Sequence, residues 1–148
     1  MPAPKIRFAA QGVKSPLNDA PFYRNWLRKS AHKEGKDITD LQYVFCSDDT
    51  LLAMNIQFLN HRTLTDILTF DYAAKDSPET VSGEIYISID RVRDNAKTFG
   101  VSVQQELSRV LIHGLLHLCG YRDKTTAEKK EMRSKEDHYL ALQKNKAS

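Results

Sequence analysis

Apolar residues recur along this chain at two spacings, and the switches between them outline its elements. Ile85, Ile87 and Ile89 alternate with Tyr86 and Ser88, the period of a half-buried strand, so Glu84 to Ile89 reads as a strand. Ile67 to Tyr72 reads as the strand before it, joined through a polar loop that contains Pro78 and Gly83. Lys5 to Ala10 and Leu41 to Cys46 complete the strands. Phe22, Tyr23, Trp26 and Leu27 follow helical spacing instead, which predicts a helix over Asn18 to Ser30 with Asn18 as its cap. Leu51, Leu52, Met54, Asn55 and Phe58 do the same after the helix start Ser47-Asp48-Asp49. Asp90 to Phe99 is a short helix stopped by Gly100. Ser102 with Gln105, and Thr125 with Glu128, fit capping boxes; the first opens a helix to Leu118 that stops at Gly120, the second a helix to roughly Gln143. The order β-α-β-α-β-β-α-α-α predicts a mixed α/β fold, with a small sheet of about four strands packed with about five helices, as a single domain over residues 1–148.

Composition narrows the class without naming a function. Apolar residues are 41% and charged residues 28% of the 148, ordinary values for a globular chain, which excludes disordered, collagen-like and coiled-coil readings. The longest apolar-rich stretch, Val110 to Tyr121, is too short to span a bilayer and contains two histidines, so no membrane is expected. No secretory h-region follows the N-terminal Met-Pro-Ala-Pro-Lys, and Cys46 and Cys119 cannot build a disulfide framework; the expectation is a cytoplasmic protein. Charge is uneven. Residues 1–40 carry a net +4, residues 41–90 a net −6 and residues 91–148 a net +5. Such basic ends suit a polyanion, but on charge alone solvated helix faces are the favoured reading.

The chemistry concentrates in His113-Gly-Leu-Leu-His117-Leu-Cys-Gly120-Tyr-Arg-Asp123. Two histidines at i and i+4 project from one helix face and can share a metal ion. Gly120 can take the positive φ that ends the helix and turns the chain back, which brings Asp123 round as a third ligand. Three protein ligands with a fourth position open describe a catalytic zinc site, one ion per chain, although other divalent ions suit two imidazoles and a carboxylate. In zinc peptidases the residue after the first histidine is a glutamate that acts as general base; here it is Gly114, which argues against peptidase chemistry.

His113-Gly-Leu-Leu-His-Leu-Cys-Gly-Tyr121 resembles the H-G-x-L-H-L-x-G-Y signature of the bacterial YbeY family, small metal-dependent endoribonucleases of ribosomal RNA maturation. Thr65-Asp66-Ile67-Leu68-Thr69-Phe70 resembles the family's T-[DN]-V-L-S-F strand, Gly83-Glu84-Ile85 its G-D-I strand start, and Glu128, Met132 and Glu136 recur at its spacing. The resemblance implies single-strand-specific cleavage in 16S ribosomal RNA 3′-end maturation and late ribosome quality control. Its implied partners are single-stranded RNA, ribosomal RNA, the ribosome and ribosomal proteins. Two positions depart from the pattern. The family continues after the tyrosine as Asp-His, whereas this chain has Arg122-Asp123, so a carboxylate stands where the family has an imidazole. Aligned without gaps, the family arginine falls on Leu59; Arg62 or His61, three and two residues on, are the candidates to supply the cation for the phosphate from the loop. Leu59 also leaves room for an alternative, a ribosome-associated factor that binds RNA or protein, with a structural metal and little nuclease activity.

Other polar residues have plainer expectations. Glu106 reads as a solvated first-turn carboxylate favoured by the helix dipole, or as a partner behind the histidines. Cys119 reads as core filler, Trp26 as a core anchor of the first helix and His138 as a surface residue. Arg24, Arg28, Lys29 and Lys33 read as one solvated face.

Overall fold

A computed structural model describes residues 5–59, 65–73 and 77–143, with only the backbone of Leu59. The elements follow the predicted order: β1 (Ile6–Ala10), α1 (Ala20–Lys33), β2 (Asp37–Cys46), α2 (Asp48–Leu59), β3 (Ile67–Asp71), β4 (Thr80–Ser88), α3 (Ile89–Phe99), α4 (Val103–Leu118) and α5 (Thr126–Leu140). The strands form one mixed sheet in the order β1-β2-β4-β3; β1 and β4 each run parallel to β2, and β3 is antiparallel to β4.

Register explains why the strands read as they do. Phe8, Tyr43, Ile85 and Thr69 are paired across all four strands, and Ala10, Phe45, Ile87 and Ile67 form the adjoining row on the same face. Because side chains alternate, these rows turn one apolar face towards α4 and α1. The central residues of that face, Tyr43, Phe45, Ile85 and Ile87, are buried with Leu107, Leu111, Ile112 and Leu115 of α4. The Tyr43 hydroxyl donates to the Leu111 carbonyl at 2.8 Å, and burial raises its pKa, so it stays a neutral donor. Trp26 is the anchor its spacing predicted: 5% exposed, with Nε1 donating to the Tyr139 carbonyl. The opposite face carries a smaller cluster under α2, with Cys46, Leu51 and Leu68 at its centre.

Four details differ from the sequence expectation. Asp19, not Asn18, caps α1, accepting from the Phe22 amide at 3.2 Å, and Pro21 follows in the first turn where a missing N–H costs nothing. Strand β2 begins at Asp37, four residues early, because its polar start pairs with Thr80 and Val81 of β4 whatever its side chains. Gly83 lies inside β4, not in the loop before it. A Cβ there would sit 2.3 Å from the Phe70 carbonyl oxygen, so the glycine permits close approach of β3. Arg24 is half-buried: its Nε donates to the Ile6 carbonyl and its guanidinium lies over the Phe8 ring, whereas Arg28, Lys29 and Lys33 are exposed as expected. No helix among the described residues is long and apolar enough to cross a membrane.

Candidate metal centre

Helix α4 is the central strut of the fold. Its side chains are buried on nearly every side, and Gly114 is what lets it approach the sheet: a Cβ there would lie 2.9 Å from Ile85 Cδ1 and 3.0 Å from Ile67 Cδ1. The direction in which a peptidase would need its glutamate is therefore packed against strands. Arg109, His113 and His117, spaced i, i+4 and i+8, form a half-buried stripe that leaves this core.

The turn after α4 supplies the third group. Gly120 adopts φ 111°, its amide donates to the His117 carbonyl, and the Tyr121 amide reaches back to Leu116, which reverses the chain. Both ends of the returning segment are fastened. The Tyr121 hydroxyl donates to Glu34 at 2.6 Å, and the Lys124 and Thr125 amides donate to Glu128, which completes the predicted capping box of α5. Held between them, Asp123 places Oδ2 3.3 Å from His113 Nε2 and 3.5 Å from His117 Nε2. Among the described residues, these three are the group whose ligand atoms lie within 4.8 Å of one another and can hold a metal ion.

Their spacing fits such an ion. Four ligands at about 2.0–2.1 Å in a tetrahedron are about 3.4 Å apart, and the two nitrogen–oxygen distances here are 3.3 and 3.5 Å. The donor set also presents the correct atoms. Glu136 of α5, 4% exposed, places Oε2 2.6 Å from His113 Nδ1. A carboxylate accepts, so Nδ1 donates and the neutral ring turns the Nε2 lone pair towards Asp123 and His117. Arg109 compensates that carboxylate, donating to Glu136 and to Asp137 at 2.8 Å each. Burial by itself lowers the His113 pKa, but the hydrogen bond and charge of Glu136 outweigh it and the net shift is upward. His117 is shifted downward, by burial first and then by the charge of His113.

Several residues take places other than those expected. Glu106 is 5% exposed and lines the cleft beside the histidines, and burial raises its pKa; it is no solvated first-turn carboxylate. Asp66, just before β3, lines the same cleft with its pKa likewise raised by burial. Glu136, Arg109 and Asp66 carry no role in the sequence reading. Their signals were a charged residue on the Met132–Tyr139 stripe of α5, an arginine one turn before His113, and a carboxylate at the mouth of a strand. Cys119 packs against the core, away from the triad, its thiol pushed up to about 12 by burial and then by Glu34. His138 is exposed. His61 and Arg62, and the side chain of Leu59, lie outside the described residues.

Comparison with known proteins identifies the family. The family model described as endoribonuclease YbeY matches residues 13–144. An endoribonuclease YbeY of Cytophaga hutchinsonii is 49% identical over 139 residues, covering 94% of this chain and 96% of that protein. One of Flavobacterium psychrophilum is 50% identical over 126 residues, covering 85% and 88%. The solution structure of TM1509 from Thermotoga maritima superposes with a TM-score of 0.65 at 30% identity, over 95% of this chain and 90% of that one. With a matched model over nearly its whole length and relatives close to half identical, the chain belongs to the endoribonuclease YbeY family.

Proposed function

We propose that this protein is a metal-dependent endoribonuclease that cuts single-stranded RNA, with His113, His117 and Asp123 holding one divalent ion, zinc in the first instance. The observation that carries this reading is the pair of 3.3 and 3.5 Å distances from Asp123 to two imidazole nitrogens, with His113 held from behind by a buried carboxylate. A bound ion supplies Lewis-acid activation of water and neutralises charge on the scissile phosphate. The chain's own residues prepare that chemistry. Glu136 fixes the tautomer and orientation of His113, Arg109 offsets the charge of Glu136, and the Gly120 turn aims Asp123 inward. Arg62, with His61, is the cation proposed for the RNA backbone, on its place in the sequence alone. The family relationship supports ribosomal RNA as substrate, specifically 16S 3′-end maturation and late quality control, with the ribosome and ribosomal proteins as partners in the cytoplasm.

One observation favours a second reading. Leu59 stands at the position of the family arginine, which suits a ribosome-bound maturation factor with a structural metal and little cleavage. Digestion of a single-stranded 16S 3′ fragment by wild type and His113→Ala separates the two. The nuclease reading predicts metal-dependent cleavage abolished in the variant. Equal rates would reveal a contaminating nuclease and support the binding factor.

A further inference from the structure

The cleft that contains the triad extends well past it. It encloses about 400 Å³ and is lined by Asp66, His113 and Asp123 together with Phe99, Lys129 and Arg133. Phe99 and Arg133 also wall a second cavity of about 250 Å³ whose far side is formed by Val101, Leu140 and Gln143. The two cavities make one groove running from the triad, past the Phe99 ring, to the end of α5.

Phe99 is out of place as a structural residue. Helix α3 packs through Ile89, Val92 and Ala96, while Phe99, its last residue, is 62% exposed. Gly100 follows with φ 67°, so the chain turns away and the ring stays beside the groove. Lining the same cleft, Lys129 and Arg133 lie one turn apart on α5; among the described residues their side chains make no hydrogen bond or close ion pair, though the charge of Arg133 acts on Glu106 nearby. Arg109, in contrast, is engaged with Glu136 and Asp137. The groove also carries Asp66, Glu106, Asp123 and Glu136; Arg109 offsets Glu136, and Glu106, which lines both cavities, is shifted towards its neutral form by burial. At the far end the Gln143 amide nitrogen is buried with no hydrogen-bond partner among the described residues, which leaves a donor.

We propose that Phe99 and Arg133 form a nucleotide subsite adjoining the triad, in which a base of single-stranded RNA stacks on the Phe99 ring while Arg133, with Lys129, holds the adjacent phosphate. The strand then follows the groove from the triad towards Gln143. This rests on the reading of the protein as a single-strand endoribonuclease, and it gives that reading a cause. A base in a duplex is covered on both faces by its neighbours, so only an unpaired base has a face to offer. Aromatic stacking accepts any base, so the subsite selects for single strands without selecting for sequence.

The test is fluorescence anisotropy of the zinc-loaded full chain with a labelled 2′-O-methyl oligonucleotide, its integrity checked by gel after each titration, and cleavage of the matching RNA in parallel. Phe99→Ala is expected to weaken binding by about fivefold or more, and Phe99→Trp to restore it. Arg133→Gln is expected to weaken binding and to reduce the salt slope by about 0.7. Metal content and thermal midpoint should be unchanged in Phe99→Ala, since the ring lies outside the core. If wild type cleaves single-stranded RNA and Phe99→Ala binds it equally well, the subsite is overturned and the endoribonuclease reading stands; the ring then serves another partner, such as a protein. If wild type neither binds nor cleaves RNA, the reading fails and the subsite fails with it.

Discussion

Helices α4 and α5 wall the same cleft and are opposites in character. α4 buries Leu107, Val110, Leu111, Ile112, Leu115 and Leu116, so that its polar Arg109, His113 and His117 are the exceptions. α5 is polar on most of its surface and buries Met132, Glu136 and Tyr139, so that its exception is a carboxylate on the apolar stripe. The exceptions of both helices meet at one point, where Glu136 holds His113 at 2.6 Å and Arg109 at 2.8 Å. A polar group on a buried helix needs a partner, because leaving it unsatisfied costs more than the bond itself is worth. The site is built where each helix breaks its own pattern, and each break accounts for the other.

The largest effect should come from removing the exception on α5. Glu136→Ala leaves His113 without its orienting acceptor and Arg109 with Asp137 alone. Denaturant melts should show a loss of about 3 kcal/mol, and zinc titration a 10–100-fold weaker affinity, the scale of losses behind metal ligands. Glu136→Gln, which keeps a neutral acceptor, should recover part of the affinity. Next is the exception α4 makes in packing. Gly114→Ala drives a methyl to within 3.0 Å of Ile85 and Ile67 and should cost about 1–3 kcal/mol by the same melts. One ion per chain should still bind, because that face points away from the triad. If Gly114→Ala abolished metal binding while the fold survived, the division between a packing face and a site face of α4 would be wrong.

The smallest effect lies at Glu34, which accepts hydrogen bonds from Tyr121 in the turn and from Tyr139 and Lys135 on α5. Burial alone would raise its pKa, but these bonds outweigh it and the net shift is down from an ordinary value of 4.5. A depressed carboxylate stabilises the fold fully above its unfolded pKa and loses that contribution as pH falls through the folded value. Wild type should therefore exceed Glu34→Gln by about 1 kcal/mol at neutral pH. The gap should close as pH drops below 4.5. A gap independent of pH would show that the carboxylate's charge plays no part.

The contrast between the two helices also decides what was legible in the sequence. Histidines in Leu-Leu-His-Leu stand out because everything around them is apolar, and Gly120 three residues on supplied the turn. Ser102 and Thr125 were found for the same local reason, since a capping box is complete within four residues. Glu136 was hidden because most of its neighbours on α5 are charged, and only the three-dimensional packing of Met132 and Tyr139 marks its side as buried. Glu106 misled because first-turn position is local while its burial comes from packing in the folded chain. Gly114 was read for the chemistry it lacks, whereas Ile85 and Ile67, distant in sequence, are what require it. Local patterns gave the elements and the triad; what lies behind the triad depends on contacts that no local window contains.

Whether Asp123 completes a metal site with His113 and His117 is decided by calorimetric titration of chelator-stripped protein with zinc. Wild type should bind one ion per chain, Asp123→Ala should bind at least about tenfold more weakly, and Asp123→His should retain the ion, because it puts an imidazole where the Gly120 turn already aims inward. Parallel melts control for unfolding, since losing a carboxylate that merely precedes α5 costs about 0.3–1 kcal/mol through the helix dipole and nothing in metal affinity. Unchanged zinc affinity in Asp123→Ala, with only a slightly lower melting temperature, would contradict that assignment and leave the two histidines in need of a different third ligand.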